Sequence, residues 1–316
     1  MFEVLITRPM GFIIDHIYDL VQNYGWAIII FTILIKLILM PLAIHSQKAM
    51  RKQQKLQPYM AELQKKYAND KEKLQTETMK LYKENNISMT GGCLPVLLQF
   101  PILIGLYQVI QKPLTYLLGV DFTAAEAIAK ATDIVTQMGA KYGTIIGKLK
   151  DTPIKQLVKT SQIQLSTWSG LINGSTDPWV MNFGFLGLDL SVVPSVSVSY
   201  ILSGQFAHPD RVLLILIPIL AMLTTWLSIR QSQKMTQMPE QTDSPAASMN
   251  KSMNIMMPVM TGFFAFTLPS GLGLYWIVSN LMQMFQQYII NLYFKKKGDD
   301  FDVKLPEKNR KNGKKR

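Results

Sequence analysis

Five long apolar runs constrain the fold of this chain more than any other feature of its sequence. They are Tyr24–Ile44, Leu94–Gln111, Val212–Ile229, Asn254–Leu268 and Gly271–Phe294. A helix needs about 20 mostly apolar residues to cross a bilayer. The runs therefore predict an all-α polytopic membrane protein with five transmembrane helices.

The fourth run is short for a crossing. It rises only ~22 Å as a helix, so it must recruit flanking residues or lie where the bilayer is locally thin. The sequence Pro269-Ser270-Gly271 follows it and predicts a tight break. We therefore expect the fourth and fifth spans to form a hairpin.

Composition agrees with this class and argues against an enzyme. Hydrophobic residues make up 48% of the chain and charged residues 17%, and the charges lie in blocks. The single cysteine, Cys93, cannot form an internal disulfide, and the three histidines are scattered. Since no nucleophile, base and orienting group can be assembled from the spans, we predict neither catalysis nor a cofactor or metal site.

The net charge of +12 indicates orientation by its distribution. Residues 45–93 carry ten Lys and Arg, and the tail after Phe294 carries ten more. Lys and Arg gather on the cytoplasmic side of membrane proteins, so we expect the N-terminus outside and the C-terminus in the cytoplasm. The connecting segments are then an outer interfacial helix (1–23), a cytoplasmic helical hairpin (45–93), an extracytoplasmic loop (112–211), a cytoplasmic loop (230–253) and a basic cytoplasmic tail (295–316).

Periodicity supports these assignments. The N-terminal stretch lacks the basic start of a secretory signal and places Phe12, Ile13, Ile17 and Leu20 opposite two aspartates, as in an amphipathic N-terminal interfacial helix. Helical spacing in 45–93 comes before and after a turn at Asn69-Asp70, which predicts a hairpin. In the outer loop we predict an amphipathic helix over 123–138, and a Gly/Ser/Thr-rich stretch follows near 166–176.

Polar residues inside the spans predict a hydrophilic groove. In the fifth span they recur at intervals of three and four, which aligns them on one helix face. Together with polar residues of the first three spans, the candidate groove residues are Lys36, Thr32, Gln99, Thr225, Ser228, Trp276, Ser279, Asn280 and Gln283, with Gln287 extending the fifth-span stripe. The alternative is interhelical hydrogen bonding that only stabilises the bundle.

Lys36 is the most constraining of these residues. It lies ~15 Å along a helix from Trp26, near the membrane midplane. A charge there costs roughly 2.5–3.5 kcal/mol on insertion scales. Snorkelling to the interface is the alternative, but the spans contain no acidic residue to neutralise Lys36. An unpaired cation in a wet groove would attract the acidic residues that flank many membrane segments.

Four blocks of sequence resemble one known family. "GWAIIIFTILIKLILMPLAIHSQKAMRKQQKLQP", "GGCLPVLLQFPILIGLYQVI", "FLGLDLS" and "LPSGLGLYWIVSNLMQMFQQ" are similar, in this order, to the YidC family of membrane protein insertases in the Oxa superfamily. The resemblance implies a five-helix core around a groove open to cytoplasm and lipid. Nascent membrane proteins would enter the lipid bilayer through it without nucleotide hydrolysis. The Sec translocon is an open candidate partner.

The chain departs from the family pattern in several places. Lys36 stands where the family usually carries arginine, "NISMTGGCLP" lacks the proline often found just after its asparagine, and 123–176 looks like an insertion. The lipoprotein cysteine of many Gram-positive relatives and the large outer domain of Gram-negative relatives are absent, which suggests a compact Gram-positive type. The basic tail predicts contact with the ribosome through RNA phosphates.

A small solute or ion transporter is the competing class. It would require an inverted repeat, discontinuous helices with matching glycine breaks, or intramembrane carboxylates for ion coupling. The sequence shows none of these. A purely structural scaffold would leave Lys36 and the polar stripe of the fifth span without a role.

Overall fold

The computed structural model describes residues 3–85, 94–146, 154, 162–195, 212–236 and 245–297, and most of these residues are helical. After a π-helical turn at Glu3–Thr7, the helices are α1 (Arg8–Val21), α2 (Tyr24–Ile38), α3 (Met40–Lys66), α4 (Lys71–Glu84), α5 (Leu94–Gln111), α6 (Pro113–Tyr116), α7 (Ala125–Ile146), α8 (Gln162–Asn173), α9 (Leu216–Thr236), α10 (Pro245–Thr267) and α11 (Ser270–Lys297). One antiparallel hairpin joins β1 (Gly184–Phe185) to β2 (Leu188–Asp189).

The chain divides into two compact units. Unit 1 contains Met1–Ile35, Phe100–Thr225 and Met256–Asn280, and unit 2 contains Lys36–Gln99, Trp226–Ile255 and Leu281–Arg316. The basic tail from residue 298 onward and the sequence around Cys93 lie outside the described residues.

The main apolar core lies in unit 1. Its buried side chains come mostly from helices α1, α2 and α5 and from the segment 181–190, and large side chains that are almost fully enclosed include Ile14, Tyr24, Ile28, Phe31, Leu106 and Ile110. On α1, the residues buried in this core are Met10, Ile14 and Tyr18, whereas Phe12 and Leu20 are exposed. The predicted apolar face of α1 is therefore split, because Ile13 and Ile17 pack against protein while Phe12 and Leu20 point away from it.

The first apolar run is not one continuous helix. Helix α2 ends at Ile38, and α3 begins at Met40 with Pro41 in its first turn. Proline has no backbone N–H to continue the helical hydrogen-bond ladder, which explains a break at this position. The axes of Tyr24–Ile38 and Met40–Gln53 differ by 57°.

The described helices can be compared with the requirement for crossing a membrane. None of them meets it alone by length and apolar composition, whereas the bent pair Tyr24–Ile38 and Met40–Gln53 meets it together. In the region of the short fourth run, α10 begins at Pro245, nine residues before Asn254.

In unit 2, α3 and α4 are joined by a turn that ends at Asp70. The Asp70 carboxylate caps α4 by accepting a hydrogen bond from the backbone N–H of Lys73 at 3.0 Å. Leu56 of α3 packs with Leu81 and Tyr82 of α4 in a small buried cluster. The two helices thus share an apolar contact of their own.

The segment 112–211, predicted as an extracytoplasmic loop, contains more regular structure than its sequence predicts. Helix α7 covers most of the helix predicted at 123–138 and extends to Ile146. Helix α8 spans Gln162–Asn173 and includes most of the Gly/Ser/Thr-rich stretch near 166–176, for which the sequence predicts no helix. The two helices enclose a second apolar cluster, formed by Leu114, Ala131, Ile134, Met138, Leu165, Trp168 and Trp179.

Candidate functional site

The predicted groove residues fall in both units. Unit 1 holds Thr32, Thr225, Trp276, Ser279 and Asn280, and unit 2 holds Lys36, Gln99, Ser228 and Gln283.

In unit 1 the structure brings Asn280 and Thr225 together. Asn280 Nδ2 donates to Thr225 Oγ1 at 2.8 Å and lies 3.3 Å from Thr224 Oγ1. Thr225 Oγ1 in turn donates to the carbonyl of Ala221 at 2.7 Å. This is the geometry of an interhelical hydrogen bond between α9 and α11. Thr224 was not among the predicted residues, although its position next to Thr225 could have suggested it.

The other unit 1 residues are largely enclosed. Thr32 is 1% exposed, and its hydroxyl donates to the Ile28 carbonyl one turn earlier at 2.7 Å. Ser279 is buried, and Trp276 is half-buried with its ring centroid 6.5 Å from that of Phe264. The Thr32 hydroxyl therefore uses its proton within its own helix.

In unit 2, Lys36 is half-buried and lies at the end of α2. Its backbone carbonyl accepts a hydrogen bond of 2.6 Å from Gln286 Nε2. The carbonyls of the last helical turn have no partner further along the same helix, so the break after Ile38 frees this oxygen. Gln286 satisfies it. Among the described residues, none forms a hydrogen bond or ion pair with Lys36 Nζ.

Gln286 and Gln287 are neighbours in α11 with different environments. Both are buried, with exposed fractions of 6% and 7%. Gln286 donates to Lys36, whereas Gln287 Oε1 is buried and has no hydrogen-bond partner in the described part of the chain. Sequence reasoning placed Gln287 on the polar stripe and missed Gln286, whose partner lies 250 positions away along the chain.

The remaining predicted residues of unit 2 differ in exposure. Ser228 is buried, Gln99 is half-buried, and Gln283 is exposed. Only Gln283 of these presents its side chain openly at the surface of the structure. Gln231, which the sequence did not single out, donates to the Met284 carbonyl at 2.8 Å.

A further contact in unit 2 joins α3 to the end of α11. Arg51 donates from its guanidinium to Asn291 Oδ1 at 2.5 Å, and the same guanidinium carbon lies 4.8 Å from the centre of the Phe294 ring. Phe294 is buried. Arg51 was counted in the sequence only as one of the basic residues of 45–93, but it also makes a directed contact with α11.

An ion pair joins α7 to the segment that follows α8 in unit 1. Lys130 Nζ lies 2.9 Å from both carboxylate oxygens of Asp177 and 4.7 Å from the centre of the Trp179 ring. Burial alone would raise the pKa of Asp177. Hydrogen bonds from Lys130, from the Trp179 backbone and from Ser169 outweigh burial, so the pKa is lowered from 3.8.

The described residues include no candidate metal centre and one shallow cavity away from the predicted groove residues. Within the described ranges, no group of three or more His, Cys, Asp or Glu side chains could hold a metal ion. A shallow cavity of about 390 Å³ lies between α8 and the β-hairpin, lined by Ser166, Asn182, Phe183 and Asp189 among others. None of the predicted groove residues lines it.

Comparison with known proteins places the chain among relatives with one function. The family model of the 60Kd inner membrane protein matches residues 16–297. The chain is 33% identical over 300 residues to Membrane protein insertase YidC 2 of Listeria innocua. The aligned residues cover 92% of this chain and 72% of the relative. It is 32% identical over 292 residues to Membrane protein insertase YidC of Clostridium perfringens, covering 92% and 88%. Identity to the Caldanaerobacter subterraneus insertase is 30% over 285 residues, covering 90% and 93%.

Proposed function

The chain belongs to the YidC family of membrane protein insertases, and we propose that it moves nascent membrane segments into the bilayer through a hydrophilic groove open to cytoplasm and lipid. The chain is a membrane protein and not an enzyme. Its substrates are nascent membrane proteins, and the reaction needs no nucleotide hydrolysis.

Lys36 is the observation that carries this proposal. A cation in the middle of an apolar run is costly unless water or an anion compensates it. The described residues offer Lys36 Nζ neither an ion pair nor a hydrogen bond, which leaves the ammonium available to an external anion. An acidic residue flanking a substrate segment is such an anion. It would be held only transiently, because the site is hydrated and the attraction is weakened by water.

The driving force lies in the substrate and not in the insertase. A membrane segment gains about 25 cal/mol for each Å² of apolar surface that leaves water. The barrier comes from carrying the polar end of the segment through the apolar layer. A charged, wet groove lowers that barrier without supplying energy, which is why no nucleotide is required.

We further propose five spans with the N-terminus outside and the C-terminus in the cytoplasm. Basic residues in 45–93 and after Phe294 support this orientation. The bent pair of α2 and α3 supports a first crossing that starts at Tyr24. Helices α5, α9, α10 and α11 correspond in position to the other four apolar runs.

The segment formed by α3 and α4 would receive substrates on the cytoplasmic side. Its basic surface suits a position near lipid headgroups. If it must move to pass substrates on, a crosslink between α3 and the end of α11, at positions next to the Arg51–Asn291 contact, should slow insertion without unfolding the helices. Full activity of the crosslinked protein would show that α3 and α4 are a passive connection.

Reconstitution tests the proposed function directly. The purified protein is placed in lipid vesicles, and a short single-span substrate is added without nucleotide and without a secretion channel. We expect the substrate to become protected from external protease in vesicles that contain the protein, and not in empty vesicles. If protection required nucleotide, or were equal in both kinds of vesicle, the proposal would be wrong.

The transporter alternative has no support from the comparisons or the sequence. The relatives are named insertases, and the five apolar runs contain no carboxylate that could couple an ion gradient.

A further inference from the structure

The turn between β1 and β2 exposes an apolar side chain in an unfavourable backbone conformation. Phe185 pairs with Leu188, so Leu186 and Gly187 form a two-residue loop. Their φ angles are 51° and 77°, both in the left-handed region, as in a type I′ turn. Leu186 is 83% exposed.

Leucine is a poor choice for this position on local grounds. Type I′ turns favour Asn, Asp or Gly at the first central residue, because those residues tolerate a positive φ. Leu186 adopts a positive φ that is unfavourable for leucine, and its apolar side chain is exposed and contacts little of the protein. Both costs are explained if the side chain contacts something apolar outside the chain.

The position of the turn indicates what that contact is. Asn23 Nδ2 donates to the Gly184 carbonyl at 2.7 Å, and the Tyr24 N–H donates to the Asn182 carbonyl at 3.0 Å. These bonds attach the hairpin to the start of α2, where the first apolar run begins. The turn therefore lies beside the point where that run meets the membrane surface.

Two aromatic residues reinforce this placement. The Trp26 ring lies 5.6 Å from the Phe185 ring at 82°, and Trp26 is itself 51% exposed. Exposed tryptophan at the end of an apolar helix is typical of the lipid–water interface. Gly25 lets Phe185 approach, because an added Cβ there would come within 2.4 Å of its ring. The hairpin is thus held against the helix at the level of the aromatic belt.

We propose that Leu186 inserts into the lipid–water interface beside Trp26, so that the β1–β2 turn is a membrane anchor of the outer segment. The ligand is the upper acyl region of the bilayer. The anchor ties the segment that follows α8 to the lipid surface at the start of α2. It rests on the membrane location of the chain and is independent of the insertion reaction.

A spin label tests this contact in the full-length protein. Cys93 is replaced by serine, and single cysteines are introduced by Leu186→Cys or, as a control in the exposed turn after α8, by Ser175→Cys. Each variant is labelled with a nitroxide in vesicles of phosphatidylcholine and phosphatidylglycerol. Collision rates are then measured with oxygen, which concentrates in lipid, and with a water-soluble nickel complex.

We expect the oxygen-to-nickel ratio to be severalfold higher at position 186 than at position 175. Equal ratios would place Leu186 in water and overturn the proposal. Shielding of position 186 from both reagents would also overturn it, because the side chain would then contact protein and not lipid.

A second measurement excludes an effect of the label's own apolar character. The unlabelled thiol of Leu186→Cys should react severalfold more slowly with a charged thiol reagent in vesicles than the thiol of Ser175→Cys, and equal rates would contradict the anchor. Leu186→Asn keeps a residue suited to the turn, so loss of lipid contact can be examined with the hairpin intact. Neither measurement uses a substrate, so failure of the anchor is distinguishable from failure of insertion.

Discussion

Removing the side-chain amide of Gln286 should destabilise the protein, because the Lys36 carbonyl at the helix break after α2 then loses its hydrogen-bond donor. Gln286 Nε2 donates to the Lys36 carbonyl at 2.6 Å, and Gln286 is 6% exposed. In Gln286→Leu the carbonyl oxygen loses this donor in a site that water reaches poorly. An unsatisfied buried polar group costs about 1–3 kcal/mol. The folded-to-unfolded ratio should therefore fall ~5- to 150-fold, at about 1.4 kcal/mol for each factor of ten.

Gln287→Leu is the matched control. It changes the neighbouring residue of the same type and similar burial, but Gln287 Oε1 has no partner among the described residues. Replacing a buried polar atom that lacks a partner by an apolar group is close to neutral. The free energy of unfolding should change much less than in Gln286→Leu.

The assay is denaturant unfolding of both variants and the parent in the same detergent, followed by circular dichroism. Gln286→Glu adds a second check, since an ionised carboxylate cannot donate to the carbonyl and should be at least as destabilising as leucine. Acidification should partly restore its stability, because the protonated acid can donate. If Gln286→Leu and Gln287→Leu were equally stable, the 2.6 Å contact would not hold the break.

Three further predictions follow from other contacts. The lowered pKa of Asp177 means that its ion pair with Lys130 contributes stability above pH 3.8, and that this contribution is lost as the pH falls through the folded-state pKa. Asp177→Asn should therefore lower the thermal midpoint at neutral pH and differ less from the parent protein in acid. A difference in thermal midpoint that does not depend on pH would contradict this. Asn280→Leu should lower the free energy of unfolding by ~0.6–2 kcal/mol, because the hydrogen bond to Thr225 is lost. In a double-mutant cycle, adding Thr225→Val should lower it little further. Full additivity of the two effects would refute the pairing. Deletion of residues 298–316 should weaken ribosome co-sedimentation at low salt while membrane integration persists, and unchanged co-sedimentation would exclude the tail as a ribosome contact.

Local patterns in the sequence predict the helices well where one face is plainly apolar. The helix predicted at 123–138 lies almost wholly within α7, because its apolar residues recur at the helical period and face the cluster around Trp179. Pro41 is also a local signal for a break, although the apolar composition of the first run predicts a single helix.

Tertiary packing explains a helix that the sequence does not predict. The stretch near Ser166–Thr176 is rich in small and polar residues, yet Ser166 and Ser169 are fully buried in α8. Small side chains are needed there because Val180 packs closely, within 3.3 Å of a Cβ added at Gly170. Composition alone does not distinguish a residue that is small for packing from one that is small for a turn.

The sequence likewise does not predict the hydrogen-bond partners of the candidate groove residues. Spacing predicts a polar face on the fifth span, but it does not predict which residue of that face forms a hydrogen bond with which partner. Gln286 lies one position away from the residue chosen for the stripe, and it finds its partner only because the helix break frees the Lys36 carbonyl. Such pairs depend on how distant segments meet.

The most direct test of the proposed function is to remove or retain the positive charge at Lys36 by substitution and to measure insertion. Purified Lys36→Gln and Lys36→Arg proteins are reconstituted and compared in the insertion of single-span substrates whose translocated ends carry either Asp and Glu or neutral residues. Lys36→Arg should retain insertion of both substrates, because the positive charge survives. Lys36→Gln should fold, should fail with acidic ends, and should lose less activity with neutral ends. If Lys36→Gln inserted acidic-ended substrates as well as the parent protein does, the positive charge would have no part in drawing substrates into the groove.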